Sequence, residues 1–437
     1  MSSSDNVSRK YFYLVISILA ISYYNALFYP GYLTTDSVYI LQQTTGVSPL
    51  SNWHPIFVTK LWGGLYSIFK SAGGIWSVQI LLFVVSVATL SYKIKNIYLS
   101  ILFLIVILFF PAIVANMGAL WKDDWAAIAT IVSVIAFINY IQERTKVNLA
   151  LLLTACIFTS LLRIDYFAIV LPLIILSFFS IEKFTFHKKI LTTILFMVIV
   201  LISTVIINKA LSFNVEKRIN PWLAVAIWDI SGIEQRSTPN HSSNAYNCNT
   251  VDPLMWGENK MFVVNLPEGD YVSDPKIESD YFLNLWFNSV LKNPTSYIAH
   301  RLCVGKAFLG INTASVHYPY PAPVFLNNHL TQKTERSNLN IDAYWFFDEN
   351  SSSPIFRYWY YLTITLTLVI IMNLFKKYSV IHNGIALSIF LSAIRFIILP
   401  AADFRYGLWI VFGTIILLFM SIDEVIGTKA KKLQTTP

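Results

Sequence analysis

Long apolar runs separated by short polar breaks make up most of the chain. A helix rising about 1.5 Å per residue needs about 20 mostly apolar residues to cross a hydrocarbon core. The pattern predicts ten such spans, at 11–29, 75–92, 97–119, 125–141, 148–162, 164–180, 190–212, 355–375, 379–400 and 406–424. The stretch from His54 to Phe69 is apolar but interrupted by Lys60 and Gly63-Gly64, so it reads as an interfacial or re-entrant helix. Residues 213–354 are too polar to span. They open on an Asn/Ser/Pro-rich loop from Arg236 to Pro253, continue through an amphipathic helix at 280–291 and a Pro294-initiated helix at 295–309, and end in an aperiodic tail from Pro319 to Ser353. The predicted architecture is an all-α polytopic membrane protein. Residues 1–212 form a seven-span bundle with an outer loop at 30–74, residues 213–354 an α-rich extramembrane domain, and residues 355–437 three spans and a tail.

Basic residues orient the bundle. Arg9/Lys10, Lys93/Lys95, Arg144/Lys146, Lys183/Lys188/Lys189, Lys376/Lys377 and Lys429/Lys431/Lys432 fall on one side if the ten spans alternate. The positive-inside rule makes that side cytoplasmic, with both termini on it. The first apolar run reads as a retained helix rather than a cleaved signal. Residues 30–74, the turns at 120–125, Arg163 and 401–406, and the domain at 213–354 then share the opposite face.

Composition agrees with a lipid-solvated chain: 55% hydrophobic, 13% charged, mean hydropathy +0.57, against roughly 25% charged in soluble domains. The net charge of +8 lies largely in the cytoplasmic clusters, so no nucleic-acid partner is expected. Cys156 sits in an apolar helix, while Cys248 and Cys303 share the outer domain, where an oxidising compartment would permit a disulfide.

Candidate chemistry gathers on the outer face. Asp36 in Thr35-Asp36-Ser37 could act as general base on a hydroxyl nucleophile, although an Asp before a short helix also suits an N-cap. Asp123 and Asp124 in Trp121-Lys122-Asp123-Asp124-Trp125 could bind a divalent cation, or stabilise a helix N-terminus. Arg163 in Arg163-Ile164-Asp165 could hold a lipid phosphate, or pair with Asp165 to close the turn. Arg405 and Tyr406 suit a phosphate and a sugar ring. His54, His300 and Arg301 are weaker candidates. No Walker loop, dinucleotide fingerprint or serine elbow occurs, which leaves a donor that arrives through the membrane.

These stretches, with Asn52-Trp53-His54-Pro55 and the segment from Trp286 through Pro294 and Tyr297 to Arg301, resemble the GT-C glycosyltransferases. More narrowly, they resemble the bacterial multi-spanning enzymes that modify O-antigen or other surface glycans. The resemblance implies transfer of a sugar from a polyprenyl-phosphate donor to a lipopolysaccharide-type acceptor at the periplasmic face of the inner membrane. It implies Asp36 as base or acceptor-positioning carboxylate, Asp123 and Asp124 as the second acidic motif, and Arg163 and Arg405 as donor-phosphate contacts. The chain departs from the family in offering a single Asp in the first loop, without Asp-x-Asp or Glu-x-Asp. A magnesium or manganese requirement is therefore open. Two alternatives remain: an O-antigen polymerase or ligase led by arginines, and a lipid-linked sugar transporter, which should show broken helices or polar residues deep in its spans.

Overall fold

A computed structural model describes residues 3–216, 221–237, 275–311, 337–375, 379–399 and 402–435. The described residues are almost entirely α-helical, as the apolar periodicity requires. Ten helices make up the N-terminal part: α1 (Ser3–Phe28), α2 (Thr35–Thr44), α3 (Ile56–Phe69), α4 (Ala72–Ser91), α5 (Ile97–Phe109), α6 (Pro111–Met117), α7 (Lys122–Gln142), α8 (Lys146–Leu162), α9 (Tyr166–Phe179) and α10 (Phe186–Leu211). The middle of the chain contributes α11 (Leu223–Ser237), α12 (Pro275–Lys292), α13 (Pro294–Leu309) and α14 (Asn338–Glu349). The chain then forms α15 (Tyr358–Leu374), α16 (Val380–Ile394) and α17 (Leu408–Thr435).

Among the described residues, six helical stretches are long and apolar enough to cross a membrane: Arg9–Phe28, Ala72–Ser91, Lys122–Gln142, Phe186–Asn214, Val380–Ile397 and Phe404–Gly427. A seventh forms if α5 and α6 act together, across a 50° bend at Phe110-Pro111. Pro111 causes the bend, because it has no N–H to donate and its ring disfavours helix at the residue before it. Ten full-length spans are therefore not what the structure displays. The predicted spans at 148–162, 164–180 and 355–375 emerge as α8, α9 and α15, which are 17, 14 and 17 residues long. At 1.5 Å per residue, the shortest reaches only about 21 Å.

α7 is the central helix. Its side chains from Asp123 to Ile131 are all buried, and it packs against α4, α8, α9 and α16. α10 lies at the periphery with its flanks exposed, as befits a helix apolar all round. Two expectations for the extramembrane part change. α11 occupies the segment just before the predicted loop and continues to Ser237, while the rest of that loop lies outside the described residues. The tail expected to be aperiodic contains α14, capped by the Ser337 hydroxyl, which accepts from the Asn340 N–H; residues 312–336 lie outside the described residues. The predicted helices at 280–291 and 295–309 match α12 and α13.

Cys156 is free and buried. Cys303 is disulfide-bonded. Cys248, the partner expected for it, lies outside the described residues.

Candidate functional site

The loop after α1 is held in register by backbone pairing. Tyr32 N–H donates to the Gly118 carbonyl at 2.8 Å, and Leu120 N–H donates back to the Tyr32 carbonyl at 2.9 Å. Gly118 permits this approach, because a Cβ there would lie 2.7 Å from the Phe28 ring. Two residues after Tyr32, Thr34 caps α2, and its hydroxyl accepts the Trp121 indole N–H at 2.7 Å. Ser37 donates to the Leu120 carbonyl at 2.5 Å. Asp36 is thus not the N-cap that its position suggested. It occupies the first turn of a helix capped by Thr34, and the pairing carries it to the start of α7.

There Asp36 meets three basic side chains. Its Oδ2 accepts from Arg405 at 2.8 Å and from Lys122 at 3.2 Å, while His54 Nε2 stands 3.9 Å from Oδ1. The Asp36 side chain keeps 26% of its surface exposed, against 12% for Arg405 and Lys122. Burial alone would raise the Asp36 pKa, but Lys122, Arg405 and His54 outweigh it and hold the carboxyl well below its ordinary range. Burial pushes His54 down to about 3, and the charge of Lys122 adds to that fall. His54 is therefore a neutral imidazole at physiological pH.

The network continues inward from Arg405. This guanidinium also pairs with Asp403, lies 3.9 Å from Asp123, and sits over the rings of Trp121 and Tyr406. Asp123, fully buried, accepts from Arg163, which also grips Asp165 at 2.9 and 3.1 Å. Arg163 stacks 4.7 Å above Tyr406. Asp165 in turn accepts from Arg395 at 2.6 Å, and Arg395 donates to the Tyr406 carbonyl as well. Burial would raise the Asp165 carboxyl, yet Arg163 and Arg395 hold it down at about 2. The Arg163–Asp165 pair expected to close the turn is present, and Arg163 also reaches Asp123 in the cluster.

Asp36, His54, Lys122, Asp123, Arg163, Asp165, Arg405 and Tyr406 therefore converge, though they come from five separate stretches of chain. Asp124 does not join Asp123 as a paired ligand. It is fully buried, neither of its carboxylate oxygens has a hydrogen-bond partner among the described residues, and its electrostatic neighbours are Arg405, Tyr24 and Tyr166. His300 and Arg301 lie in a different cluster, around the buried Asp229 of α11. Arg301 Nε pairs with Asp229 at 2.7 Å, His300 Nε2 lies 3.6 Å away, and the Trp286 indole donates to Asp229 at 2.8 Å. Arg301 also donates to the Leu399 carbonyl at 2.7 Å, tying α13 to the segment before Asp403.

A divalent cation of the magnesium type takes about six oxygens. Here Asp36, Asp123, Asp165 and Asp403 are each matched by basic side chains, and an added cation would face Lys122, Arg163, Arg395 and Arg405. This donor set does not fit such an ion, and no group of three or more His, Cys, Asp or Glu side chains converges among the described residues. An anion suits the cluster better: Lys122 and Arg405 stand at its exposed edge, and each could exchange Asp36 for a phosphate oxygen.

Arg395 is the member that the sequence reading missed. Its signal was present, since an arginine inside an apolar run at 379–400 is costly unless it has a partner. Asp229 was missed for the same reason in reverse, lying in a segment read only as polar.

Comparison of the chain with protein-family models, curated proteins and solved structures finds no match to any of them.

Proposed function

We propose that this polytopic membrane protein is a glycosyltransferase of the GT-C type. It moves a sugar from a polyprenyl-phosphate donor to a surface-glycan acceptor of the O-antigen or lipopolysaccharide kind. The reading places the Asp36 cluster at the periplasmic face of a bacterial inner membrane, with both termini cytoplasmic and α8, α9 and α15 counted as short spans to make ten. The observation that carries it is the half-buried carboxylate of Asp36 held by Lys122 and Arg405 at one end of the bundle.

In the free protein Asp36 is a weak base, because its cations stabilise the carboxylate. A donor phosphate arriving at Lys122 and Arg405 draws both away, and the pKa of Asp36 rises as they leave. The carboxylate then takes the proton of the acceptor hydroxyl, whose oxygen attacks the anomeric carbon. The carbon–oxygen bond to the phosphate breaks, and polyprenyl phosphate departs with the electron pair. Arg405, Arg163 and Lys122 offset the charge developing on that leaving group, the kind of term that contributes most in such sites. His54, neutral and 3.9 Å from Asp36, orients the carboxylate.

Two observations favour other readings. The bend between α5 and α6 is of the kind that a lipid-linked sugar transporter would use, where the two helices form one broken span. Arg163, Arg395 and Arg405 together suit an arginine-led polymerase or ligase. Analysis of surface-glycan composition and linkage in cells lacking the gene separates the three. Loss of one side-branch sugar, restored by the wild-type gene, supports the transferase. Altered chain length with branches intact supports the polymerase or ligase, and accumulation of lipid-linked sugar on the cytoplasmic leaflet supports the transporter.

A further inference from the structure

On the flank of the bundle, where α10 ends, a cavity of about 410 Å³ is lined by Asn52, Lys209, Ser212, Phe213 and Val215. The chain builds it in three steps. α10 runs through the peripheral layer with Leu191, Leu195, Val198, Ile202 and Ile206 exposed, so its length faces lipid. Its last turn then delivers a cation, Lys209, to the level where the apolar helix stops. Beyond it the chain folds back, with Glu216 N–H donating to the Leu50 carbonyl at 3.0 Å, and this contact lays residues 212–216 against the loop that carries Asn52. Lys209 forms no ion pair with any described residue. Phe213 stands 89% exposed beside it.

An opening with apolar walls and one ammonium at its rim suits an amphiphile with a compact anionic head. The Ser212 hydroxyl is already spent on the Asn208 carbonyl at 2.6 Å, so the charge of Lys209 must dominate recognition of the head. Lys at this depth ordinarily extends to the headgroup layer, and phosphate is the anion found there. The geometry points to a phosphate-headed lipid seated in this cavity, its phosphate on Lys209 and its chain along α10 and Phe213. The inference does not depend on sugar transfer. It has a consequence for that reading all the same: Asn52 lies two residues before His54, so the lipid head rests on the same loop that faces Asp36.

The test uses the full-length protein in phosphatidylcholine nanodiscs and a single-chain alkyl phosphate with a diazirine beside its head. After irradiation, the labelled peptides are mapped by mass spectrometry. Labelling is expected within 205–215. It should fall about tenfold in Lys209→Ala, as for one lost charge-assisted contact, and persist in Lys209→Arg, with size-exclusion profiles unchanged. Unlabelled alkyl phosphate should compete, and the matching alkyl alcohol should not. Competition by phosphatidylglycerol as well identifies a bulk phospholipid as occupant, whereas competition by the single-chain phosphate alone identifies a dedicated lipid. Labelling unchanged in Lys209→Ala, or displaced as well by inorganic phosphate as by the lipid, overturns the inference. Labelling that is lost in Arg405→Ala and kept in Lys209→Ala also overturns it, while leaving the transferase reading intact. Labelling as expected in a protein whose deletion leaves surface glycans unaltered would remove the transferase reading alone.

Discussion

The molecule sets two aspartates each beside an arginine and a histidine, and treats them in opposite ways. Asp229 is fully enclosed by Arg301, His300 and Trp286, and its cluster joins α11, α12 and α13 to the segment before Asp403. Asp36 also has an arginine and a histidine beside it, with Lys122 in place of the indole, yet a quarter of its side chain remains open and its cations come from the start of α7 and the turn before α17. A sealed ion pair cannot reach a ligand, and breaking it strands a charge. An open one can exchange partners. The same side-chain chemistry thus serves as a brace in one place and as a candidate site in the other, and accessibility marks the difference.

That contrast can be broken by substitution. Asp229→Asn should have the largest effect on the folded state, since it leaves Arg301 buried without its carboxylate, at a cost of about 3–5 kcal/mol. Thermal inactivation of the detergent-solubilised protein should show it, with Asp36→Asn shifting the midpoint much less. Equal shifts would make both clusters braces.

Arg395→Lys sharpens the comparison from within the Asp36 cluster. Lysine keeps the charge but cannot hold Asp165 and the Tyr406 carbonyl together. Transfer should slow about tenfold, the scale of one lost charge-assisted hydrogen bond of about 1.5–3 kcal/mol. Turnover should fall more than protein abundance. Parallel losses of the two would place Arg395 on the bracing side.

The smallest effect is in pH dependence. His54 titrates near 6.5 when unfolded and at about 3 when folded. Between those values the unfolded chain binds the extra proton, so stability falls as pH falls, by up to about 1.4 kcal/mol per unit. The contribution is fully present above the unfolded value. Melting at pH 7, 6 and 5 should show a shallower slope for His54→Gln than for wild type. His300, lowered to about 3 chiefly by burial, slopes the same way, so His300→Gln should also flatten the profile, and an unchanged slope in either variant would contradict the assignment.

Apolar periodicity made the helices and the membrane environment legible, because lipid solvation imposes a long, simple pattern. It placed the turn at Arg163 between α8 and α9, but drew the span at 355–375 longer than α15, because hydropathy continues past the residues where the helix begins and stops. Of the candidate site, Asp36, Lys122, Asp123, Arg163, Asp165 and Arg405 were visible as charges at the ends of apolar runs. Their convergence depends on pairing between Tyr32 and residues 118–120, which leaves no mark in composition. Asp123 and Asp124 looked equivalent in sequence, yet the turn of α7 directs them to different neighbours. Arg395 could have been picked out as a charge within a span. His300 and Arg301 could not have been assigned to a brace without knowing that Asp229 faces them.

The most direct measurement is complementation of a deletion strain with wild type and Asp36→Asn at equal membrane levels, scored by surface-glycan composition and linkage. The account predicts that wild type restores the missing sugar and that Asp36→Asn transfers it at least about a hundredfold more slowly, the lower bound for loss of a general base. Full restoration by Asp36→Asn would contradict it and leave Asp36 as a structural partner of Lys122 and Arg405.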